Sequence, residues 1–324
     1  MNSRSQWSLL FLLLLVLGTP VWAQHVLGQI AVGNGPTGIA INPTTNRVYV
    51  ANSMSNSVSV IDGATDFLIT TVTVGNAPQV VFTYVPANLI YAYNASDSTL
   101  SIIDGKTNAV LRTRSVPFGM TAAAELGLSK FLYVTDTAAD QVHVIDLTSL
   151  IKLTDISVPA PSAITINPRT KQAYVTSGNT GIAVIDTGSN TVLHTFTITN
   201  TNIGSISIDP GDGLLYAATS PVGSSNTSIS VMNPNNGTVL GTSPALGTVN
   251  SVLALNGTHK AVATGGKTIG QDVHSLIFIR GSDAGVAAVL ANVGKHPFNS
   301  AFNPNTKVLF TTNSNSNTVA VVGN

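Results

Sequence analysis

The chain has 324 residues, with 14 basic and 14 acidic side chains and no cysteine. Only 9% of its residues are charged, against about 25% in an average soluble domain, and Asn, Thr and Ser supply most of its polarity. The lack of cysteine excludes a disulfide scaffold and a lipid-modified cysteine anchor. The lack of net charge argues against nucleic acid or an anionic membrane as a partner.

Residues 1–23 have the pattern of a secretory signal peptide. Arg4 precedes an apolar run over residues 8–18, and Val21-Trp22-Ala23 places small residues at the cleavage positions. The run is shorter than the roughly 20 residues needed to span a bilayer, which favours cleavage over an uncleaved anchor. We expect cleavage before Gln24, a secreted, periplasmic or cell-surface protein, and no transmembrane segment in the remaining chain.

From residue 24 onward, one β-hairpin pattern recurs along the chain. In its first copy, residues 47–62, two short β-branched runs flank a polar Asn/Ser loop. The pair Ile61-Asp62 recurs 42 residues later and again after another 42 residues, as Ile103-Asp104 and Ile145-Asp146. The aromatic residue that opens the hairpin recurs in step, at Tyr49, Tyr91, Tyr133, Tyr174, Tyr216 and Phe310. A period of this length, built from short strands alone, is typical of a propeller blade.

The first repeat contains four strand candidates, called a to d in chain order, at residues 38–42, 48–51, 58–61 and 67–74. They are apolar on both sides, as a sheet covered on both faces by other sheets requires. Strand c recurs seven times, at Val58, Leu100, Val142, Ile182, Ile229, Leu276 and Val319. The sequence therefore predicts an all-β fold, a single seven-bladed propeller of four-stranded blades over residues 24–324.

The two ends of this region complement each other. Residues 25–33 resemble a strand d with no blade before it, and the last repeat ends without a strand d. We expect the N-terminal strand to complete the last blade, closing the ring through main-chain hydrogen bonds and removing an open sheet edge.

Three hairpins carry a family resemblance, with the segments Tyr49-Val50-Ala51-Asn52, Tyr133-Val134-Thr135-Asp136 and Tyr174-Val175-Thr176-Ser177. Together with the following Val/Ile-Asp pairs, they resemble the YVTN-type β-propeller repeat over essentially the whole mature chain. Propellers similar in this way include exported bacterial proteins, archaeal surface-layer proteins, lactonases and an antibiotic-opening lyase, so the resemblance implies a fold and no single activity. Repeats five and six depart from the pattern, with Tyr216-Ala217-Ala218-Thr219 and, lacking the aromatic, Ala261-Val262-Ala263-Thr264.

Candidate site residues lie in the d-to-a and b-to-c loops, which share one face of a propeller and commonly hold its binding site. The b-to-c loops of repeats five and six are the longest, at residues 220–227 and 265–275. We predict a ligand pocket beside the tunnel mouth, although such residues are also typical of solvated loops. The candidates on this face are Lys267, Asp272, His274, Lys295 and His296.

Glu125 is a further candidate because it is the only glutamate and occupies the strand-a position that Ile41 has in the first blade. A carboxyl group buried near the axis is either paired or has a raised pKa. The starts of the other a strands offer uncharged residues, at Thr37, Gln79, Thr121, Ser162 and Ser251. Asp62, Asp104, Asp146 and Asp186 recur once per blade and are predicted to cap turns. The scattered histidines predict neither a metal site nor a cofactor.

We interpret the chain as a monomeric, non-catalytic binding or surface-interaction propeller. It would present a face rich in Asn, Ser and Thr to a glycan, a polymer or a protein partner. The alternative is a lactonase-like hydrolase or lyase acting on a small ring ester, with Glu125, Asp272 or His274 as acid or base. The sequence leaves open whether the protein is an enzyme.

Overall fold

The computed structural model describes residues 24–265 and 274–323 and contains seven four-stranded antiparallel sheets. The first strand, β1 (His25–Ala31), belongs to the last sheet. Blades one and two consist of β2 (Pro36–Asn42), β3 (Arg47–Asn52), β4 (Ser57–Asp62) and β5 (Leu68–Thr73), then β6 (Pro78–Tyr84), β7 (Leu89–Asn94), β8 (Thr99–Asp104) and β9 (Val110–Ser115). Within these ranges the one helical segment is a single 3-10 turn at Val85–Ala87.

The middle blades follow the same order. Blades three and four consist of β10 (Ala122–Glu125), β11 (Phe131–Asp136), β12 (Gln141–Asp146) and β13 (Ile151–Ser157), then β14 (Ile164–Asn167), β15 (Gln172–Ser177), β16 (Gly181–Asp186) and β17 (Thr191–Thr197). Blade five consists of β18 (Thr201–Ile208), β19 (Leu215–Pro221), β20 (Ser228–Met232) and β21 (Val239–Thr242).

Blade six consists of β22 (Ser251–Leu255), β23 (Lys260–Thr264), β24 (Leu276–Arg280) and β25 (Val286–Leu290). Blade seven consists of β26 (Pro297–Asn303), β27 (Val308–Asn313) and β28 (Thr318–Gly323), with β1 as its outer strand. The a strands contact one another in sequence and β26 returns to β2, which closes the ring. The predicted seven-bladed fold is confirmed, with strand c of each blade at its predicted place.

The predicted ring closure is also confirmed. β1 pairs antiparallel with β28, from His25 opposite Gly323 to Ala31 opposite Thr318. Ile30 of β1 is buried in an apolar cluster that also contains Ile39 and Phe310. The edge of blade seven is therefore covered by main-chain pairing and by apolar contact.

The hydrophobic core lies between blades in seven clusters. The recurring aromatic residue of strand b points toward the next blade and is fully buried in each blade that has one. Tyr91 Oη donates a hydrogen bond to the Leu147 carbonyl at 2.8 Å, and Tyr133 Oη donates to the Thr187 carbonyl at 3.1 Å. Tyr91 and Tyr133 therefore supply both apolar contact and a polar link to the c-to-d turn of the next blade.

The four recurring aspartates cap turns, as predicted. Asp62 Oδ1 accepts hydrogen bonds from the N–H groups of Ala64 and Thr65, at 2.9 and 3.0 Å. The backbone donors hold the pKa of Asp62 below its ordinary value. Equivalent pairs of bonds form at Asp104, Asp146 and Asp186.

No helix in the described ranges is both long enough and apolar enough to cross a membrane.

Candidate functional site

The propeller has two faces, which we define by their loops. The upper face carries the d-to-a and b-to-c loops, and the lower face carries the a-to-b and c-to-d turns. The strands begin and end at these two faces, so residues at the starts of the a strands meet near the axis below the upper face.

The axial pocket, about 420 Å³ in volume, is formed by the a strands of blades seven, one, two and three. Its polar lining residues are Thr37, Gln79, Thr121 and Asn299, and its aromatic residue is Phe298. Ile39, Val80 and Val81 supply apolar wall. None of the lining side chains in the described part of the chain is charged. The pocket therefore suits a neutral ligand with both polar and apolar surface.

Close contact between blades one and two shapes one side of this pocket. Thr37 Oγ1 lies 3.4 Å from the Ala51 carbonyl and 3.3 Å from the Gln79 carbonyl, so it can donate to either blade. A Cβ atom at Gly38 would lie 2.5 Å from the Gln79 carbonyl oxygen. Only glycine permits this approach, because the atom it would meet is backbone and cannot turn away.

Phe298 supplies the one aromatic surface of the pocket. It stands at the strand-a position that holds Thr37 in blade one and Gln79 in blade two, and its side chain is 38% exposed. Its ring stacks on His296 with centroids 6.1 Å apart and planes 24° apart. Phe298 was not predicted from the sequence, although His296-Pro297-Phe298 matches Ala77-Pro78-Gln79.

Three predicted site residues come together at the rim beside Phe298. The N–H of His296 donates to His274 Nδ1 at 3.4 Å, and His296 Nδ1 lies 2.7 Å from Ser314 Oγ. Lys295 is exposed, and its backbone N–H donates to Ser316 Oγ at 3.2 Å. This cluster forms because the loop before β26 crosses the end of the loop before β24. The other two candidates on this face, Lys267 and Asp272, lie outside the described residues.

Glu125 lies apart from that cluster, at the end of β10 and opposite Leu132. It follows Ala123, which lines the pocket, by two residues and so is on the same side of the strand. Burial raises the pKa of Glu125 to about 8, and a hydrogen bond with the Thr83 backbone opposes this rise. A pKa of about 8 favours the protonated carboxyl group at neutral pH, and Glu125 is not among the residues that line the pocket.

A hydrogen-bonded set of polar side chains around the buried His143 in blade three was also not predicted from the sequence. His143 Nδ1 lies 2.6 Å from Asp155 Oδ1, and His143 Nε2 lies 3.3 Å from Asp136 Oδ2. Lys152 Nζ donates to the other oxygen of Asp155 at 2.7 Å. His143 takes the strand-c position that Ser59 and Ser101 have in blades one and two. A histidine at a position that holds serine in blades one and two was the sequence feature that could have predicted this set of side chains.

The surroundings of Asp136 stabilise this set of hydrogen-bonded side chains. Burial raises the pKa of Asp136, but hydrogen bonds from the Gly119 N–H and from His143 outweigh it and leave the pKa below its ordinary value. The His143 ring also packs against Phe118, with centroids 4.9 Å apart. His143 is only 2% exposed, so its hydrogen bonds stabilise blade three and the ring is not available to a ligand. Within residues 24–265 and 274–323, no three His, Asp or Glu side chains group as a metal site.

Comparison with known proteins supports the fold and leaves the activity open. No family model matches the chain. A chain of Kuenenia stuttgartiensis hydrazine synthase is similar, with a TM-score of 0.76 and 18% identity over 90% of this chain and 96% of that one. The Myceliophteria thermophila Cps50 (Swd1) β-propeller domain has a TM-score of 0.75 and 10% identity over 93% and 100%. Likeness at this identity shows a seven-bladed β-propeller only.

One sequence match is short. A segment of 34 residues is 59% identical to the PE-PGRS family protein PE_PGRS18 of Mycobacterium tuberculosis. The segment is 10% of this chain and spans 7% of that protein. It therefore covers less than one blade and carries no conclusion about the whole protein.

Proposed function

We propose that the chain is an exported, non-catalytic binding propeller that takes a neutral glycan in its axial pocket. The observation that carries this proposal is the uncharged lining of that pocket together with the exposed ring of Phe298 at its mouth. Among the partners that the sequence leaves open, a glycan fits this lining best. A protein partner or another polymer would need a wider contact surface than a pocket of about 420 Å³.

The chemistry of the pocket matches a pyranose ring. The C–H face of a sugar packs on the face of an aromatic ring, and its hydroxyl groups need donors and acceptors around the edge. The side-chain amide of Gln79 is exposed, and no hydrogen bond to it is found among the described residues. Thr37, Thr121 and Asn299 supply further polar groups around the same pocket.

Export is supported by the N-terminal sequence. Residues 1–23, which lie outside the described residues, have the basic, apolar and small-residue regions of a signal peptide in order. An exported protein would meet cell-wall and extracellular polysaccharides, which is consistent with a glycan ligand.

The test is calorimetric titration of the purified protein with neutral oligosaccharides selected on a glycan array. Phe298→Ala should weaken binding by about tenfold or more, because loss of a stacking surface worth about 1.4 kcal/mol changes Kd tenfold. Gln79→Ala should weaken it less. The matched control is Phe67→Ala, since Phe67 is 73% exposed on the outside of blade one. Equal affinity for all four proteins, or no glycan bound at all, would contradict the proposal.

A second candidate function rests on Glu125. A carboxyl group with a pKa of about 8 can donate a proton at neutral pH, as a hydrolase or lyase acting on a ring ester requires. Turnover of lactones by the wild type that is lost in Glu125→Gln would favour this enzyme over the binding protein.

A further inference from the structure

A second cavity, about 560 Å³ in volume, opens on the lower face between blades six and seven. We call it the seam cavity. Its walls are largely apolar and include Leu27, Leu255, Phe278, Phe302 and Leu309. Its size falls within the range of small-molecule sites. It lies on the opposite face from the rim cluster and shares no lining residue with the axial pocket.

Beside the seam cavity, blade six carries its aromatic residue on strand c, as Phe278, and not on strand b. In blade five, Tyr216 pairs with Ser207 and Val231. In blade six, Val262 pairs in the same way with Leu253 and Phe278, so Val262 holds the tyrosine position. The tyrosines of blades two and three extend their hydroxyl groups to the c-to-d turn of the next blade. Blade six has no phenol to fill the equivalent space beside blade seven.

The way the ring closes also leaves the seam cavity without a neighbouring c-to-d turn. The outer strand of blade seven is β1, which is not joined to β28 by a c-to-d turn, whereas such a turn joins the last two strands in each of the other six blades. In blade one, Arg47 uses such a turn, because its Nη1 donates to the Gly105 carbonyl and to Asn108 Oδ1. Lys260 precedes Val262 by two residues, as Arg47 precedes Tyr49, and therefore holds the same position without that acceptor turn.

The polar groups around the seam cavity favour an anion. Lys260 and Lys307 both line it, and no acidic side chain does within the described ranges. Neither ammonium group forms an ion pair or side-chain hydrogen bond with another described residue. Thr306 and Gln24 also line the cavity, and Thr306 Oγ1 and Gln24 Oε1 are buried without a hydrogen-bond partner among the described residues. Two cationic side chains thus border a largely apolar space.

We propose that the seam cavity binds an anionic amphiphile, a medium-chain carboxylate. Its hydrocarbon tail would pack against Leu255, Phe278 and Phe302, removing apolar surface from water. Its carboxylate would accept hydrogen bonds from the ammonium groups of Lys260 and Lys307. The site is independent of the glycan pocket, since it lies on the other face and between other strands.

The experiment is calorimetric titration of the purified protein with dodecanoate below its micelle concentration, with dodecyltrimethylammonium as the ligand of opposite charge. We expect one saturable site for dodecanoate and none for the cation. Lys260→Glu and Lys307→Glu should each weaken binding about tenfold or more, which corresponds to about 1.4 kcal/mol. The matched control is Lys171→Glu, because Lys171 occupies the same turn position in blade four, also with positive φ. It should change Kd less than about twofold.

A double substitution tests the origin of the cavity. Val262→Tyr with Phe278→Val restores the tyrosine and valine pair of blade five, which should fill the cavity and abolish dodecanoate binding. If this variant does not fold, the three charge reversals decide alone. Equal Kd values for wild type, Lys260→Glu and Lys307→Glu, equal binding of the cation, or no saturable binding would each overturn the proposal.

Discussion

At the scale of single residues, Glu125 introduces the strongest pH dependence. Its pKa is raised from 4.5 to about 8 because burial disfavours the carboxylate. The folded protein therefore holds the proton more tightly than the unfolded chain, so stability is highest below the unfolded pKa and falls as pH rises through 8. At about 1.4 kcal/mol per pKa unit, the loss amounts to a few kcal/mol.

Glu125→Gln should remove this pH dependence. We expect the wild-type Tm to fall between pH 6 and pH 9, while the variant, which keeps the shape of the protonated side chain, changes much less. Thermal unfolding across this pH range measures the difference. Parallel Tm curves for the two proteins would show that Glu125 is not buried as described.

In blade three, we expect substitution of His143 to lower the free energy of unfolding. His143→Ala leaves Asp136 and Asp155 facing each other without the ring that bonds to both. We expect a loss of about 2 kcal/mol in the free energy of unfolding, since the buried carboxylate of Asp136 loses a hydrogen bond. Denaturant titration at pH 7 measures it.

The matched control for His143 is Ser101→Ala. Ser101 has the same strand-c position in blade two and bonds to Asn94 Nδ2 at 2.9 Å. The two bonds of Ser101 to side chains are between neutral groups, so we expect a loss of only about 1 kcal/mol. If both variants lose the same stability, the hydrogen-bonded set of side chains in blade three has no special role.

At the scale of elements, β1 carries the closure of the ring. Deleting residues 24–33 should leave blade seven with three strands and expose the edge of β28, which can then pair with other chains. We expect a lower Tm and concentration-dependent association. Light scattering after size-exclusion chromatography measures the association.

A pair of point substitutions controls for the deletion. Ile30 in β1 and Val72 in β5 hold equivalent positions, opposite Val319 and Val58, and each is 8% exposed. Ile30→Ala should destabilise the protein by about 3 kcal/mol, and Val72→Ala should also destabilise it. A neutral Ile30→Ala together with a destabilising Val72→Ala would mean that β1 does not pack as described.

At the scale of the whole molecule, the proposed export can be tested by measuring the mass of the mature protein. If residues 1–23 are a signal peptide, the protein recovered outside the cytoplasm should begin at Gln24. Intact-mass measurement of protein expressed in an exporting bacterial host gives the position of the cut. Replacing the apolar residues of the run 8–18 with serine is the control and should keep the precursor uncut in the cytoplasm. An uncut protein recovered from the membrane fraction would contradict cleavage.

The sequence by itself determined the blade number, the strand order, the turn caps and the closure by β1. These features depend on short-range patterns that recur, such as the aspartate that accepts N–H groups two and three residues ahead. Each copy of such a pattern repeats the same local hydrogen bonds, so seven weak signals support one another. The position of Glu125 near the axis followed from the same alignment of repeats.

Only the tertiary structure decided where binding surfaces form. Phe298 becomes a pocket residue because the fold places it around the same space as Thr37 and Thr121, which belong to blades one and three. The seam cavity exists because Leu27 of blade seven and Leu255 of blade six, which are far apart in the sequence, border a space that neither a tyrosine nor a turn fills. Such surfaces arise where the repeat is broken and distant blades meet, and no local pattern specifies what will lie across the gap.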